Sequence, residues 1–163
     1  MYLLDTDVVL RLRSARASDP DRLLVAWATG IARQSLFLSA LALLELERSA
    51  LQAERRSRDG GARWRNWIDA QLLPAFEGRV VPVDAGVASR AARLNYATIR
   101  DSLVAATALQ SNFILVTSRP SAFRSGRVRV LDPWNYSPDE SEGDWREASR
   151  AGSLWLKTLF VRA

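Results

Sequence analysis

The chain contains no cysteine and no histidine, and its only lysine is Lys157. The absence of cysteine excludes disulfides, thiolate zinc sites and cysteine nucleophiles. The absence of histidine removes the Ser-His-Asp triad, imidazole general bases and every His-ligated metal site. Hydrolytic chemistry is left to carboxylates, hydroxyls, arginine or that one lysine. No apolar run is long enough to span a bilayer. No basic segment precedes the first apolar residues, so no signal peptide is expected. These absences lead to the expectation of a cytoplasmic protein with no membrane partner.

What is present is globular. The chain has 163 residues, 48% of them hydrophobic and 25% charged, enough for one domain with its own core. The net charge is +5 and almost all of the positive charge is arginine. Arginine forks onto phosphate, which fits a nucleic-acid partner, although GC-rich coding produces the same bias.

Short apolar segments alternate with amphipathic ones. Strands are predicted at 1–5 (MYLLD), 36–39 (LFLS), 79–83 (RVVPV), 113–117 (FILVT) and 128–132 (VRVLD). Helices are predicted from Thr6, after the turn ASDPD at 17–21, and over ALALLELERSALQAERR. RDGGAR at 58–63 should break that helix. WRNWIDAQLLPAF, ending near Pro74, DAGVASRAARL with Asp84 as its N-cap, and IRDSLVAATALQ at 99–110 complete the set. The alternation predicts a three-layer α/β fold, with a central, mostly parallel sheet of four to five strands flanked by helices. Residues 1–134 form the expected domain. Residues 135–163, an acidic loop and then an apolar segment, form a packing or partner-binding tail.

Three acids interrupt otherwise apolar segments near strand ends: Asp5 in YLLD, Glu45 in LALLELE and Asp101 in RDSLVAATAL. A buried carboxylate is costly unless paired or metal-bound. Three of them at one sheet edge suggest a shared acidic pocket suited to Mg²⁺ or Mn²⁺. Simpler roles compete with this one. Asp5 can cap the helix after it, Glu45 can pair with a surface arginine, and Asp101 sits where a helix dipole favours an acid. Asp7 and Asp84 fit ordinary helix-start positions.

Four segments carry a resemblance to a known family. MYLLDTDVV is similar to an opening strand that typically reads LLDTNVL. LFLSALALLELERS resembles a second segment with Ser, apolar residues and then Glu-Leu. RDSLVAATALQSNFILVTS resembles D-x-L-I-A-A-T-A followed by a strand ending in V-T. VRVLDPW resembles a closing V-x-V-L-N-P-W. The family is the PIN domain, and within it the VapC or FitB-like toxins of toxin–antitoxin pairs.

The resemblance implies a metal-dependent endoribonuclease, a hydrolase of RNA phosphodiester bonds. Asp5, Glu45 and Asp101 would be its catalytic residues and its Mg²⁺ or Mn²⁺ ligands, and a metal-bound water would attack the phosphorus in line. Thr6, Asp7, Thr117 and Ser118 would support the site. The partners implied are an RNA substrate, a small antitoxin reaching the acidic groove with a C-terminal segment, and a second copy in a homodimer. The helices at 20–33 and 40–77 would offer the partner surfaces, with Trp27, Trp64 and Trp67 as anchors or core.

The family commonly continues V-T with R-N-x-x-D-F, where this chain reads VTSRPSAF. Arg119 replaces the Asn and Ala122 replaces the Asp, so the fourth acid is missing and a cation stands beside the pocket. Arg119 could contact an RNA phosphate or could neutralise the acids. Two other readings follow. One is a catalytically impaired PIN-like binding module. The other is a phosphatase using DTDV as a D-x-D nucleophile motif, which lacks the later lysine and acids such an enzyme needs.

Overall fold

A computed structural model of the chain describes residues 1–14 and 20–136. Five strands form one sheet: β1 (Tyr2–Leu4), β2 (Leu36–Ser39), β3 (Val80–Val81), β4 (Ile114–Val116) and β5 (Val130–Leu131). Their order is β3-β2-β1-β4-β5, and every pairing is parallel. β2 has the bounds its sequence segment predicted, while the other four strands are shorter than theirs.

Strand periodicity builds the three layers. Leu4, Leu36, Leu38 and Val116 face one core, with Val8, Leu12, Trp27, Leu46 and Phe76. Leu3 and Leu115 face the other, with Val104, Ala105 and Phe123. Successive side chains point to opposite faces and both faces are covered, which is why these strands read as unbroken apolar runs. The helices on the first side are α1 (Thr6–Ser14), α2 (Arg22–Gly30), α3 (Ala40–Arg56) and α4 (Arg58–Trp67). A π turn over Ile68–Leu72 leads from α4 into the short α5 (Leu73–Ala75). On the other side lie α6 (Ala85–Ala91) and α7 (Ile99–Gln110). Trp27 and Trp67 are buried core residues, while Trp64 packs partly buried beside them.

The helix over 40–56 ends where expected, but RDGGAR is itself helical. Ser57 ends α3 in extended backbone and caps α4 at once, its side chain accepting from Gly60 N at 3.3 Å. Gly60 and Gly61 lie inside α4. Gly61 is there for close approach, since a Cβ on it would stand 2.7 Å from Glu54 Cα. Asp84 is the N-cap expected of it, accepting from Val87 N at 2.8 Å, whereas Asp21 at the start of α2 makes no side-chain cap bond. The turn at 17–21 lies only partly within the described residues, and the tail from residue 137 lies outside them. Among the described residues, no helix is long and apolar enough to cross a membrane.

The sheet reverses its winding at β1. The chain runs outward through β2 and β3, then returns to β4 on the other side of β1. A crevice therefore opens at the carboxyl ends of β1 and β4, the place where such sheets bind ligands.

Candidate functional site

Asp5 follows β1 directly, and its backbone N–H still belongs to the sheet, donating to Val116 O at 2.9 Å. Its side chain is thereby fixed at the crevice floor and is almost completely buried. Oδ1 accepts from Thr6 N and Oδ2 accepts from Thr117 Oγ1, both at 2.9 Å. Glu45 reaches the crevice from α3, whose N-cap Ser39 accepts from Ala42 N at 3.0 Å. Thr6 Oγ1 donates to Glu45 Oε2. Asp101 stands in the first turn of α7. The N-cap of that helix is Thr98, whose Oγ1 accepts from Asp101 N at 3.0 Å and donates to Asp101 Oδ2 at 2.9 Å. This reciprocal cap sets the Asp101 rotamer.

Asp5, Glu45 and Asp101 thus meet in one place, as the sequence suggested. What lies between them is the side chain of Arg100. Its Nη2 donates to Asp5 Oδ1 at 2.5 Å and to Glu45 Oε2 at 2.9 Å, its Nε to Glu45 Oε1 at 2.7 Å, and its Nη1 to Asp101 Oδ1 at 3.3 Å. One planar guanidinium serves three carboxylates, a role for which its fork of donors is suited. Arg119 adds a second cation. Its Nη2 lies 2.9 Å from Asp101 Oδ1 and 3.9 Å from Asp5 Oδ2.

The electrostatics follow this pairing. For Glu45, burial alone would raise the pKa, but hydrogen bonds from Arg100 and Thr6 and both arginine charges hold it below the usual carboxylate range. For Asp101, burial is likewise outweighed, here by Arg119, Thr98 and Arg100, and the pKa is lowered. Burial acts to lower the Arg100 pKa, yet its bonds to Glu45 and Asp5 outweigh that and push it further up. All three groups are charged at neutral pH.

This geometry overturns the expected Mg²⁺ or Mn²⁺ cofactor. Among the described residues, no group of three or more acidic or other ligating side chains is disposed to hold a metal ion. The donor set does not fit the ion, because the oxygens that would ligate it are turned onto a guanidinium. The expected metal-dependent ribonuclease, with its nuclease, hydrolase and metal-binding character, is corrected with it. The sequence had directed suspicion at Arg119, whereas Arg100 occupies the centre. Its signal was legible: an arginine in the first turn of a helix opposes the helix dipole unless acids hold it there.

The remaining residues fall beside this cluster. Thr6 and Thr117 bond to its acids. Asp7 does not join it. Its Oδ1 accepts from Val8 N at 2.8 Å, and its Oδ2 accepts from Ser118 N at 3.0 Å and from Ser118 Oγ. Asp7 and Ser118 instead line a neighbouring open cleft of about 400 Å³ with Leu10, Arg11, Asp132 and Trp134. Ala122, where the fourth acid is missing, lies in a 3-10 turn over Pro120–Phe123 and packs against the second core.

Comparison with known proteins adds to this geometry. The PIN domain family model matches residues 2–125. The chain is similar to the VapC ribonuclease Y4jK of Sinorhizobium fredii, at 32% identity over 149 residues, covering 82% of this chain and 98% of that one. It is similar to Toxin FitB of Neisseria gonorrhoeae, at 28% identity over 143 residues, covering 83% of this chain and 99% of the relative. Among solved structures it resembles the crystal structure of FitAcB from Neisseria gonorrhoeae. That match has a TM-score of 0.72 and 28% identity, and covers 83% of this chain and all of the other.

Proposed function

This chain belongs to the PIN-domain family, and from that premise we propose that it is a catalytically impaired member acting as a protein-binding module, of the kind held by a small antitoxin. The observation that carries the impaired reading is Arg100, bonded at once to Asp5, Glu45 and Asp101. The missing acid at Ala122 and the ion pair of Arg119 with Asp101 support it. Likeness to the solved FitAcB structure supports a protein partner, and the family resemblance adds a homodimer and a cytoplasmic location to the proposal. Leu44 and Leu51, exposed one heptad apart on α3, give such a partner an apolar stripe.

The test pairs two measurements on the full chain. Co-expression with the small protein encoded in a neighbouring reading frame should give a stable complex by size-exclusion chromatography with light scattering. Titration of the unsubstituted chain with Mn²⁺ should show no saturable binding. Mg²⁺-dependent RNA cleavage that disappears in Asp101→Ala would overturn the proposal, as would an RNA complex formed in place of the protein complex.

A further inference from the structure

We infer that Arg100 is the counter-ion that takes the place of a divalent cation in this cluster, and that its side chain alone decides that no such ion binds. The inference deepens the proposed function and rests on the same impaired site, but it assigns the cause to one residue.

Three observations converge on it. First, Arg100 is the only described side chain in contact with all three acids, at 2.5, 2.7 and 3.3 Å for its closest approach to Asp5, Glu45 and Asp101 respectively. Oxygens of all three acids are therefore turned onto one guanidinium. Second, Asp5 and Asp101 are almost fully withdrawn from water, with side chains 1% and 5% exposed. Two carboxylates so placed, with the half-buried Glu45 beside them, demand positive charge from somewhere. A guanidinium and a divalent ion repel each other and need the same oxygens, so they exclude one another. Third, Arg119 is a poorer candidate for this role. Its side chain is 46% exposed, it pairs closely with Asp101 alone, and its approach to Asp5 is 3.9 Å.

Arg100 also holds its place without help from the helix that carries it. It is the second residue of α7, where the partial positive charge of the helix end disfavours a cation. Its position is thus owed to the acids. Removing it leaves those acids with a deficit of charge that a small hard cation, taking carboxylate oxygens and waters, can fill.

The test is Mn²⁺ binding, read from the loss of the free-ion electron paramagnetic resonance signal, in the unsubstituted chain and in Arg100→Ala, Arg100→Gln and Arg119→Ala. Circular dichroism confirms the fold of each. Arg100→Gln keeps most of the stem and two donors, and it decides the matter if the alanine variant fails to fold. Both Arg100 variants should bind one Mn²⁺ at least about tenfold more tightly than the unsubstituted chain, and Arg119→Ala should not. Adding Asp101→Asn to Arg100→Gln should abolish the gain. Folded Arg100 variants that bind no better than the unsubstituted chain would overturn the inference and leave the proposed function standing. Equal gains from Arg119→Ala and the Arg100 variants would also overturn it. Saturable binding by the unsubstituted chain would sink both this inference and the proposed function, whereas a gain confined to the Arg100 variants with no protein complex on co-expression would sink the proposed function alone.

Discussion

Arg100 Nη2 lies 2.5 Å from Asp5 Oδ1, joining residues 95 positions apart in the chain. The bond ties the first turn of α7 to the end of β1, and Glu45 brings α3 into the same knot. Losing the guanidinium leaves buried acids short of charge, a loss on the order of 2–3 kcal/mol for a pair that is nearly but not wholly enclosed. Urea denaturation of Arg100→Ala should show that destabilisation. Added Mn²⁺ should recover part of it, because an ion that binds only the folded form stabilises it. A variant as stable as the unsubstituted chain would show that the knot contributes nothing net.

The same cluster sets a pH dependence with a definite sign. Glu45 and Asp101 hold pKa values below their ordinary ones, so the folded chain binds fewer protons than the unfolded chain in the acid range. Their contribution is complete above the unfolded values of about 4.3 and 3.9. It is lost as pH falls through the lower folded values. Stability from this source should be level from neutral pH down to about 5 and drop below about 4. In Arg100→Ala the drop should be shallower. Urea midpoints at pH 7, 5, 4 and 3 for both proteins check this, and parallel acid limbs would contradict it.

Much of the fold was legible because its signals are local. LFLS and FILVT are unbroken apolar runs of the kind a strand covered on both faces needs, and Asp84 carries its cap chemistry in its own side chain. The convergence of Asp5, Glu45 and Asp101 was legible as acids breaking apolar segments. The Gly pair was misread because glycine signals both helix breaks and close helix approach, and only the distance from position 61 to Glu54 distinguishes them. Arg100 was passed over although it opposes the dipole of its own helix, because the acids that hold it, Glu45 and Asp5, lie 55 and 95 residues away and were read as partners of a metal. A resemblance built on RDSLVAATAL names Asp101 as the functional residue and treats its neighbour as filler.

The two glycines of α4 should respond oppositely to alanine. At Gly61 a Cβ would meet Glu54 Cα at 2.7 Å and Cβ at 2.8 Å, so α3 and α4 must part or the helix must shift. The expected cost is about 1–3 kcal/mol. At Gly60 the nearest atom is Ser57 Cβ at 3.5 Å, an ordinary contact. There Gly60→Ala should stabilise by about 0.5–1 kcal/mol through helix propensity and reduced chain entropy. Denaturant midpoints of the two variants should bracket that of the unsubstituted chain. Destabilisation by both would show that the turn at Ser57, and not the packing at Gly61, sets the geometry of the hairpin.

The closing segment is held by one indole. Trp134 Nε1 donates to Asp21 Oδ1 at 2.8 Å, and Asp21 is a buried carboxylate whose other partner, Arg11, stands 3.8 Å away with its side chain largely in water. The bond joins the 3-10 turn Pro133–Asn135 to the start of α2 and forms one wall of the cleft beside Asp7 and Ser118. Trp134→Phe keeps most of the ring and removes the donor, leaving a buried acceptor charge without its best partner. A loss of about 1–3 kcal/mol is expected. In a double-mutant cycle with Asp21→Asn the two changes should fall short of additivity by at least about 0.5 kcal/mol. Strict additivity would mean that the indole acts by packing alone, and that the cleft wall does not depend on the charge of Asp21.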